Sequence, residues 1–532
     1  MKMIFKHITQ MCKNAKGCNK YNILRLTPSA INQVHRFYSQ FPLRIQKPRQ
    51  SIGFYSYEKC NQIRCASINV DSTISENISS KYRELEANFK WRADPVITTL
   101  DPKKLESVLQ GEEMLELIEL FKKNGYELRI AGGAVRDLLM NVVPADVDFA
   151  TTATPKQMVK MFWKQNIRTI NAHGEKFGTV TALFPNDVRF QVTSLRIDVH
   201  TDGRYADVEF TTDWLLDAHR RDFTVNSMFL GFDGKVYDYL FGYEDLKNRR
   251  IVFIGEPDKR IKEDYLRIMR YFRFYGRVSD SPNNFDANII KAICENIDGL
   301  QDISGPRIWC ELRKTLIGKH CFDIFAKIIE CGASQYIGLP ASVNCENLLR
   351  LKKTFETTFK DVAIHPTTIV STALSSKDDA IHLNTRFKPT AFDRDLAIFL
   401  AENKTKTGDI DDLFHYQKLC IPQNKRSSKI SKEYTLELLK YNDKRQIYDQ
   451  LLEWEMPEFP INKPILSKRG YKGTVAELIL DKLCVAWADG KFQLSKDELL
   501  EQHLTTIAAK AIEELEAEKK SKKNRKKFTA RL

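Results

Sequence analysis

The sequence predicts an α+β protein: a mixed α/β head in the N-terminal half, carried on an elongated α-helical remainder. Two observations lead there. Between Tyr126 and Phe210, short apolar runs of period two alternate with short helical patterns, and after Gly242 the period changes to 3.6 for most of the remaining chain. The chain has 532 residues, 42% of them hydrophobic and 11% aromatic, enough apolar material for several sizeable cores. No stretch approaches the roughly 20 uninterrupted apolar residues of a membrane-spanning helix, so the protein is read as soluble, with no membrane partner.

Taken in order, Leu105 to Lys123 fits one or two helices, and Tyr126 to Ala131 reads as a strand. Gly132-Gly133 breaks it, Ala134 to Met140 reads as a short helix, and Ala145 to Ala150 alternates like a second strand. Pro155 to Gln165 is a helix with Thr154 as its N-cap. Strands follow near 168–171, 179–184, 188–195 and 207–210, with a last β-like piece at 251–254. In the helical remainder, the candidate breaks are Arg277–Asn284, Leu339–Asn344, Ser375–Asp379 and the cluster Pro457, Pro460 and Pro464.

The net charge of +14 is unevenly placed. Residues 1–57 hold ten Lys or Arg and no acid, and residues 519–532 hold eight more without an acid, which leaves Glu58 to Glu518 at −4. A nucleic-acid surface on the body is therefore a local patch rather than a global field. In the first segment Ile4, Phe5, Ile8, Met11 and Cys12 share one helical face opposite Lys6 and Lys13, the pattern of a mitochondrial transit peptide. A disordered basic arm that touches RNA is the competing reading. A start at Met11 removes Ile4 and Ile8 from that face and leads us to expect a weaker-targeted form for the cytosol or nucleus. The tail is expected to be a basic, disordered run. The eleven cysteines include no C-x-x-C pair and no accompanying histidines at zinc-ligand spacing, so free thiols are expected rather than zinc or disulfides.

Three constellations carry chemistry. Gly132-Gly133 at a strand-to-helix turn, followed by Arg136, lets backbone and a cation approach a phosphate, although alone such a turn is more often a structural device. Asp146 and Asp148 at i and i+2 of a strand point to one face, where two carboxylates suit divalent metal; a solvated pair on an edge strand is the bland alternative. The run Glu263-Asp264-Tyr265-Leu266-Arg267-Ile268-Met269-Arg270-Tyr271-Phe272-Arg273, read as one helix, puts Asp264, Arg267, Arg270 and Arg273 on the face away from the apolar residues. An i,i+3 ion pair explains it modestly. The stronger reading is base recognition: one carboxylate acceptor and one guanidinium donor match the amino group and ring nitrogen of cytosine and adenine, and mismatch guanine and uracil.

Arg129-Ile-Ala-Gly-Gly-Ala-Val-Arg-Asp-Leu-Leu-Met140, Asp146-Val-Asp-Phe-Ala-Thr-Thr-Ala-Thr-Pro155, Asp202-Gly-Arg-Tyr-Ala206, Arg220-Arg-Asp-Phe-Thr-Val-Asn-Ser-Met228 and the 263–273 run occur in this order over about 150 residues. With them the sequence resembles the tRNA nucleotidyltransferases, the CCA-adding enzymes of bacteria and eukaryotes. The resemblance implies a polymerase-β-like nucleotidyltransferase head followed by an elongated α-helical neck, body and tail. It implies magnesium on Asp146 and Asp148, which are the catalytic pair, and nucleotide contacts from Gly132, Gly133, Arg136 and Arg221. By the same resemblance Asp264 and Arg267 would template the base, with Arg270 and Arg273 beside them, and the 202–206 loop would move between C-adding and A-adding states. The implied partners are the tRNA 3′ acceptor end, CTP and ATP; no obligate protein partner is evident. Related sequences often carry an acid where this chain has Gln191 in Phe190-Gln191-Val192-Thr193, and Gln191 is expected to be tolerated.

The expected organisation is a transit or disordered segment at 1–57, an extension at 58–100, the head at 101–243, a helical neck at 244–340, a helical body and tail at 341–518 and the basic tail at 519–532. The rival functions are a poly(A) polymerase of the same superfamily and a catalytically inactive RNA-binding scaffold. A phosphohydrolase lacks support, since no His-Asp doublet occurs in the chain.

Overall fold

A computed structural model describes Ser80 and residues 90–170, 172–202, 205–421 and 428–529. All belong to one unit, Glu76–Leu532. The 1–57 segment with Met11, most of the 58–100 extension, and Gly203 and Arg204 of the expected mobile loop lie outside the described residues.

The chain enters the head through β1 (Val96–Thr99), α1 (Pro102–Glu106) and α2 (Glu112–Lys123). β2 (Leu128–Ala131), α3 (Gly133–Leu139), β3 (Asp148–Thr151) and α4 (Pro155–Lys164) come next. Then come β4 (Arg168–Ile170), α5 (Ala172–Glu175), β5 (Thr179–Leu183) and β6 (Arg189–Ser194). After the separate hairpin of β7 (Arg196–Asp202) and β8 (Tyr205–Phe210), the head closes with α6 (Trp214–His219), β9 (Phe229–Leu230), β10 (Lys235–Tyr237) and α7 (Gly242–Lys247). Eight strands form one sheet in the order β1-β10-β9-β2-β3-β6-β5-β4, antiparallel except for the β3–β6 pair.

Alternation orients this sheet. In β6, Phe190 and Val192 are buried while Arg189 and Gln191 are exposed, and in β3 Asp148 is exposed while Phe149 is buried. The apolar side carries α4, started by a capping box between Thr154 and Gln157, with Met158, Met161 and Phe162 packed in the same core as Phe121, Phe149 and Val192. The other face receives Trp214, Leu215 and Phe229, but near the start of β3 it is left open.

α8 (Pro257–Glu263), α9 (Leu266–Val278), α10 (Ala287–Glu295), α11 (Gly305–Leu316) and α12 (Cys321–Glu330) continue the chain, and further helices run on to Leu504–Thr529. α9 buries Ile268, Met269, Tyr271, Phe272, Phe274 and Tyr275, each worth about 1.5–3 kcal/mol when fully removed from water. One core runs from Leu100 to Ala401 and crosses the expected borders at 243/244 and 340/341. Two separate cores serve the later helices, one around Phe359, Leu396 and Leu438, the other around Ile479, Leu483 and Trp487.

Four expectations need correction. The second strand begins at Asp148, not Ala145: β2 pairs with β3 only from Leu128 to Ile130 and then leaves the ladder at Gly132, so residues 145–147 have no β2 partner. The 263–273 run is two helices, because Asp264 takes an extended conformation (φ −155°, ψ 103°) between α8 and α9. The piece at 251–254 forms only a bridge, Phe223 to Phe253. The basic tail, expected disordered, has a helical backbone as far as Thr529, continuing a stretch rich in the strong helix formers Ala, Glu and Lys.

Candidate active site

Gly132 is where the backbone geometry demands glycine. Its φ is +65° with ψ −117°, and a Cβ there would lie 2.9 Å from Nη1 of Arg221 and 3.3 Å from the Asn226 carbonyl oxygen. Gly133 has no such constraint: a Cβ would meet Nη2 of Arg136 at 3.7 Å, ordinary contact. No side chain caps α3, so its first-turn N–H groups keep their donors for other partners.

Arg136 lies beneath this turn rather than beside it. It is 3% exposed, donates to Asp137 Oδ1 from Nε and Nη2, reaches Asn226 Oδ1 with Nη1, and packs 4.9 Å over the Phe274 ring. Burial lowers its pKa against the pull of Asp137. Its contacts in this structure are therefore internal, while Asp146 and Asp148 are exposed.

Asp146 sits in the loop before β3 and Asp148 is the strand's first residue. The Asp148 side chain reaches solvent, yet crowding by protein raises its pKa; Asp146 raises it further and Arg221 counteracts both. Across the parallel ladder the Cα partner of Asp148 is Gln191, also exposed. The third corner beside the carboxylate pair is thus an amide. Among the described residues, no group of three or more His, Cys, Asp or Glu is placed to hold a metal ion.

Arg221 is oriented by Asp217, whose Oδ2 accepts from its Nε (3.3 Å) and Nη2 (3.0 Å), while Nη1 donates to the Asn226 carbonyl at 3.1 Å. Its guanidinium lies 4.8 Å from the Phe229 ring centroid.

Toward α9, both oxygens of Asp264 are engaged. Oδ1 accepts the Leu266 N–H at 3.1 Å and Oδ2 accepts from Arg307 Nη2 at 3.0 Å. Arg267 donates to Glu263 and to the Arg260 carbonyl, Arg270 to Asp222 at 2.6 Å, and Arg273 to both oxygens of Glu311 at 3.1 and 2.8 Å. The i,i+3 pair between Asp264 and Arg267 that spacing suggested is replaced by these partners. Burial raises the Asp222 carboxyl, but Arg270 and then Arg267 hold it below its ordinary value overall.

Three bridges bring the two sides together. Asp222 follows Arg221 and holds Arg270; Arg260 of α8 donates to the carbonyls of Arg220 (2.8 Å) and Arg221 (2.6 Å); Asp137 of α3 accepts from Arg277 near the end of α9. Sequence reasoning missed Asp137, Asp222, Glu263, Arg277, Arg307 and Glu311. Only the short spacing of Glu263 to Arg267 offered a local signal; the other partners lie 38 to 140 residues apart.

Residues 128–252 match the family described as "Poly A polymerase head domain", and residues 284–341 match "Probable RNA and SrmB- binding site of polymerase A". The chain is 44% identical over 415 residues to "CCA tRNA nucleotidyltransferase 1, mitochondrial" of Danio rerio, covering 77% of this chain and 94% of that protein. It is also 44% identical over 394 residues to the Homo sapiens protein of the same name, covering 73% and 89%. In fold it is similar to the Bacillus stearothermophilus CCA-adding enzyme in complex with CTP, with a TM-score of 0.55 and 23% identity, covering 79% of this chain and all of that one. With that extent of identity to whole relatives, the chain belongs to the CCA tRNA nucleotidyltransferase family.

Proposed function

We propose that this chain adds C, C and A to the 3′ end of tRNA from CTP and ATP, with no nucleic-acid template and with protein side chains choosing the base. The observation that carries the reading is the assembly of Gly132, Asp146, Asp148 and Arg221 against Asp264, Arg267, Arg270 and Arg273, joined by the Asp222–Arg270 bridge.

The tRNA 3′-hydroxyl attacks the α-phosphate in line and pyrophosphate leaves. Asp146 and Asp148 fit a divalent cation held by oxygen donors: the like charge of Asp146 raises Asp148, and a cation relieves that repulsion. Magnesium bound there supplies Lewis-acid activation of the hydroxyl and offsets triphosphate charge. Arg221, held by Asp217, presents a fixed cation to the phosphates, and the bend at Gly132 and Gly133 lets the backbone come close to them. Asp264 accepts from the exocyclic amino group of C or A, and Arg267 donates to the adjacent ring nitrogen. Arg136 supports the turn from below and Arg270 and Arg273 flank the base.

The head at 101–243 performs the transfer, and the helical parts at 244–340 and 341–518 hold the tRNA acceptor arm by its backbone. The mitochondrial names of the relatives and the acid-free 1–57 segment support action in the mitochondrion, with a Met11-started form serving the cytosol or nucleus. Equal mitochondrial import of Met1- and Met11-started fusions would sink the second form.

The test is incubation of the protein with magnesium and a tRNA transcript ending at the discriminator base, each nucleotide supplied alone and together. Two residues added with CTP and three with CTP plus ATP, then a stop, support the reading. The description of the matching head family keeps one rival in play, and long A-tails from ATP alone would favour that poly(A) polymerase.

A further inference from the structure

α11 runs alongside the base-reading helix α9, and two of its side chains meet the recognition groups. Arg307 and Glu311 are four residues apart and so share one face. Arg307 Nη2 donates to Asp264 Oδ2 at 3.0 Å. Glu311, 7% exposed, accepts from Arg273 Nη1 with both oxygens and lies 3.9 Å from Arg270 Nη1. α11 is itself well anchored: Ile308, Leu312 and Leu316 are buried, and Trp309 Nε1 donates to Asp393.

Asp264 needs such an anchor. It stands in extended backbone between two helices, so neither helix's hydrogen-bond ladder sets the plane of its carboxylate. Two contacts do: the Leu266 N–H on Oδ1 and Arg307 on Oδ2. An ionised carboxylate has about four lone-pair sites, so with these two filled it still has acceptor capacity for a base amino group. Discrimination depends on that plane being fixed. A carboxylate held in place repels the carbonyl that uracil or guanine presents, whereas one that can swing turns away or takes in a bridging water.

We propose that Arg307 and Glu311 are positioning residues for nucleotide selection: Arg307 fixes the Asp264 carboxylate and Glu311 fixes Arg273 with Arg270. This rests on the reading of Asp264 and Arg267 as the base template. The experiment measures kcat and KM for CTP and for UTP, and KM for the tRNA, with the full chain and a tRNA transcript ending at the discriminator base. Wild type is compared with Arg307→Gln, Asp264→Ala and the double variant.

The expected result is a fall of about tenfold or more in the CTP-over-UTP ratio of kcat/KM in Arg307→Gln, with the KM for tRNA unmoved and no further fall when Asp264→Ala is added. An unchanged ratio in Arg307→Gln while Asp264→Ala collapses it, or an equal loss for both nucleotides, would overturn this proposal alone. An unchanged ratio in Asp264→Ala would overturn the template reading and the proposal with it. If Arg307→Gln does not fold, Arg307→Lys, which keeps the cation but not the planar fork, is read by the same ratio.

Discussion

Asp137 and Arg277, 140 residues apart, are joined by a 2.6 Å hydrogen bond between Oδ2 and Nη2 and a 3.0 Å bond from Nε to Oδ1. This ties α3, which starts at the glycine turn, to the last turn of α9, which carries Arg267, Arg270 and Arg273. Asp137 is also the partner of the buried Arg136, so one carboxylate holds two guanidinium groups at once.

The two ends of that bridge differ in consequence. Asp137→Ala strands Arg136, a charge with almost no access to water, and is expected to cost about 3–5 kcal/mol. Arg277 has a side chain 43% exposed, so Arg277→Met leaves Asp137 paired with Arg136 and should cost only about 0.2–1 kcal/mol. Urea unfolding of the two variants checks this, and comparable midpoints would contradict it.

The paired glycines should behave unequally too. Gly132→Ala places a side chain in a backbone region that costs about 1–3 kcal/mol and drives a methyl group against Arg221 and the Asn226 carbonyl. Gly133→Ala meets only ordinary contact at the start of a helix and should be neutral or slightly stabilising. Thermal melting separates them: a Gly133→Ala protein that melts as far below wild type as Gly132→Ala would refute the assignment.

The legible and the concealed parts of the site divide along a physical line. The alternation of Phe190, Gln191, Val192 and Thr193 revealed both the strand and its open face, because burial follows period two directly. The Asp146/Asp148 pair, the glycine turn and the cationic row of α9 were legible as local spacing. The break at Asp264 was not. Apolar residues continue at helical spacing through Ile261, Tyr265 and Met269, and the interruption arises from a side chain bonding forward to the Leu266 N–H. Arg307 and Glu311 were hidden for another reason. They act on residues about 40 positions away, and no local pattern encodes which surface a packed helix will face.

Gln191 makes the pH dependence of the site predictable. In the proposed mechanism Asp148 holds a cation and must be ionised to do so, and its pKa is raised by partial burial and then by Asp146. Activity therefore grows as pH rises through that raised value and falls on the acid side. Gln191→Glu adds a carboxylate at the Cα partner position of Asp148, raises Asp148 further and should move the acid limb of kcat/KM to higher pH, with only a modest change in the plateau rate. A limb shifted to lower pH would show that residue 191 does not face Asp148. A plateau gain of many hundredfold would show that the amide cripples the site.

Lys404 carries a further pH signature, in stability rather than activity. Its Nζ is buried, donates to the carbonyl oxygens of Ser371 and Leu374, and lies 5.4 Å from the Tyr441 ring centroid. Burial lowers its pKa to about 8, against an ordinary value of 10.5. Between those two values the unfolded chain holds the proton more tightly than the folded one, so stability rises with pH across this window. The penalty is fully present below about pH 8 and is relieved as pH approaches 10.5. Its ceiling is about 3 kcal/mol, reduced by the two carbonyl hydrogen bonds, which favour the charged form. Lys404→Met removes the titration. The unfolding free energy of wild type minus that of Lys404→Met should therefore grow from pH 7.5 to pH 10, and two parallel curves would show that the ammonium is as well accommodated inside the protein as in water.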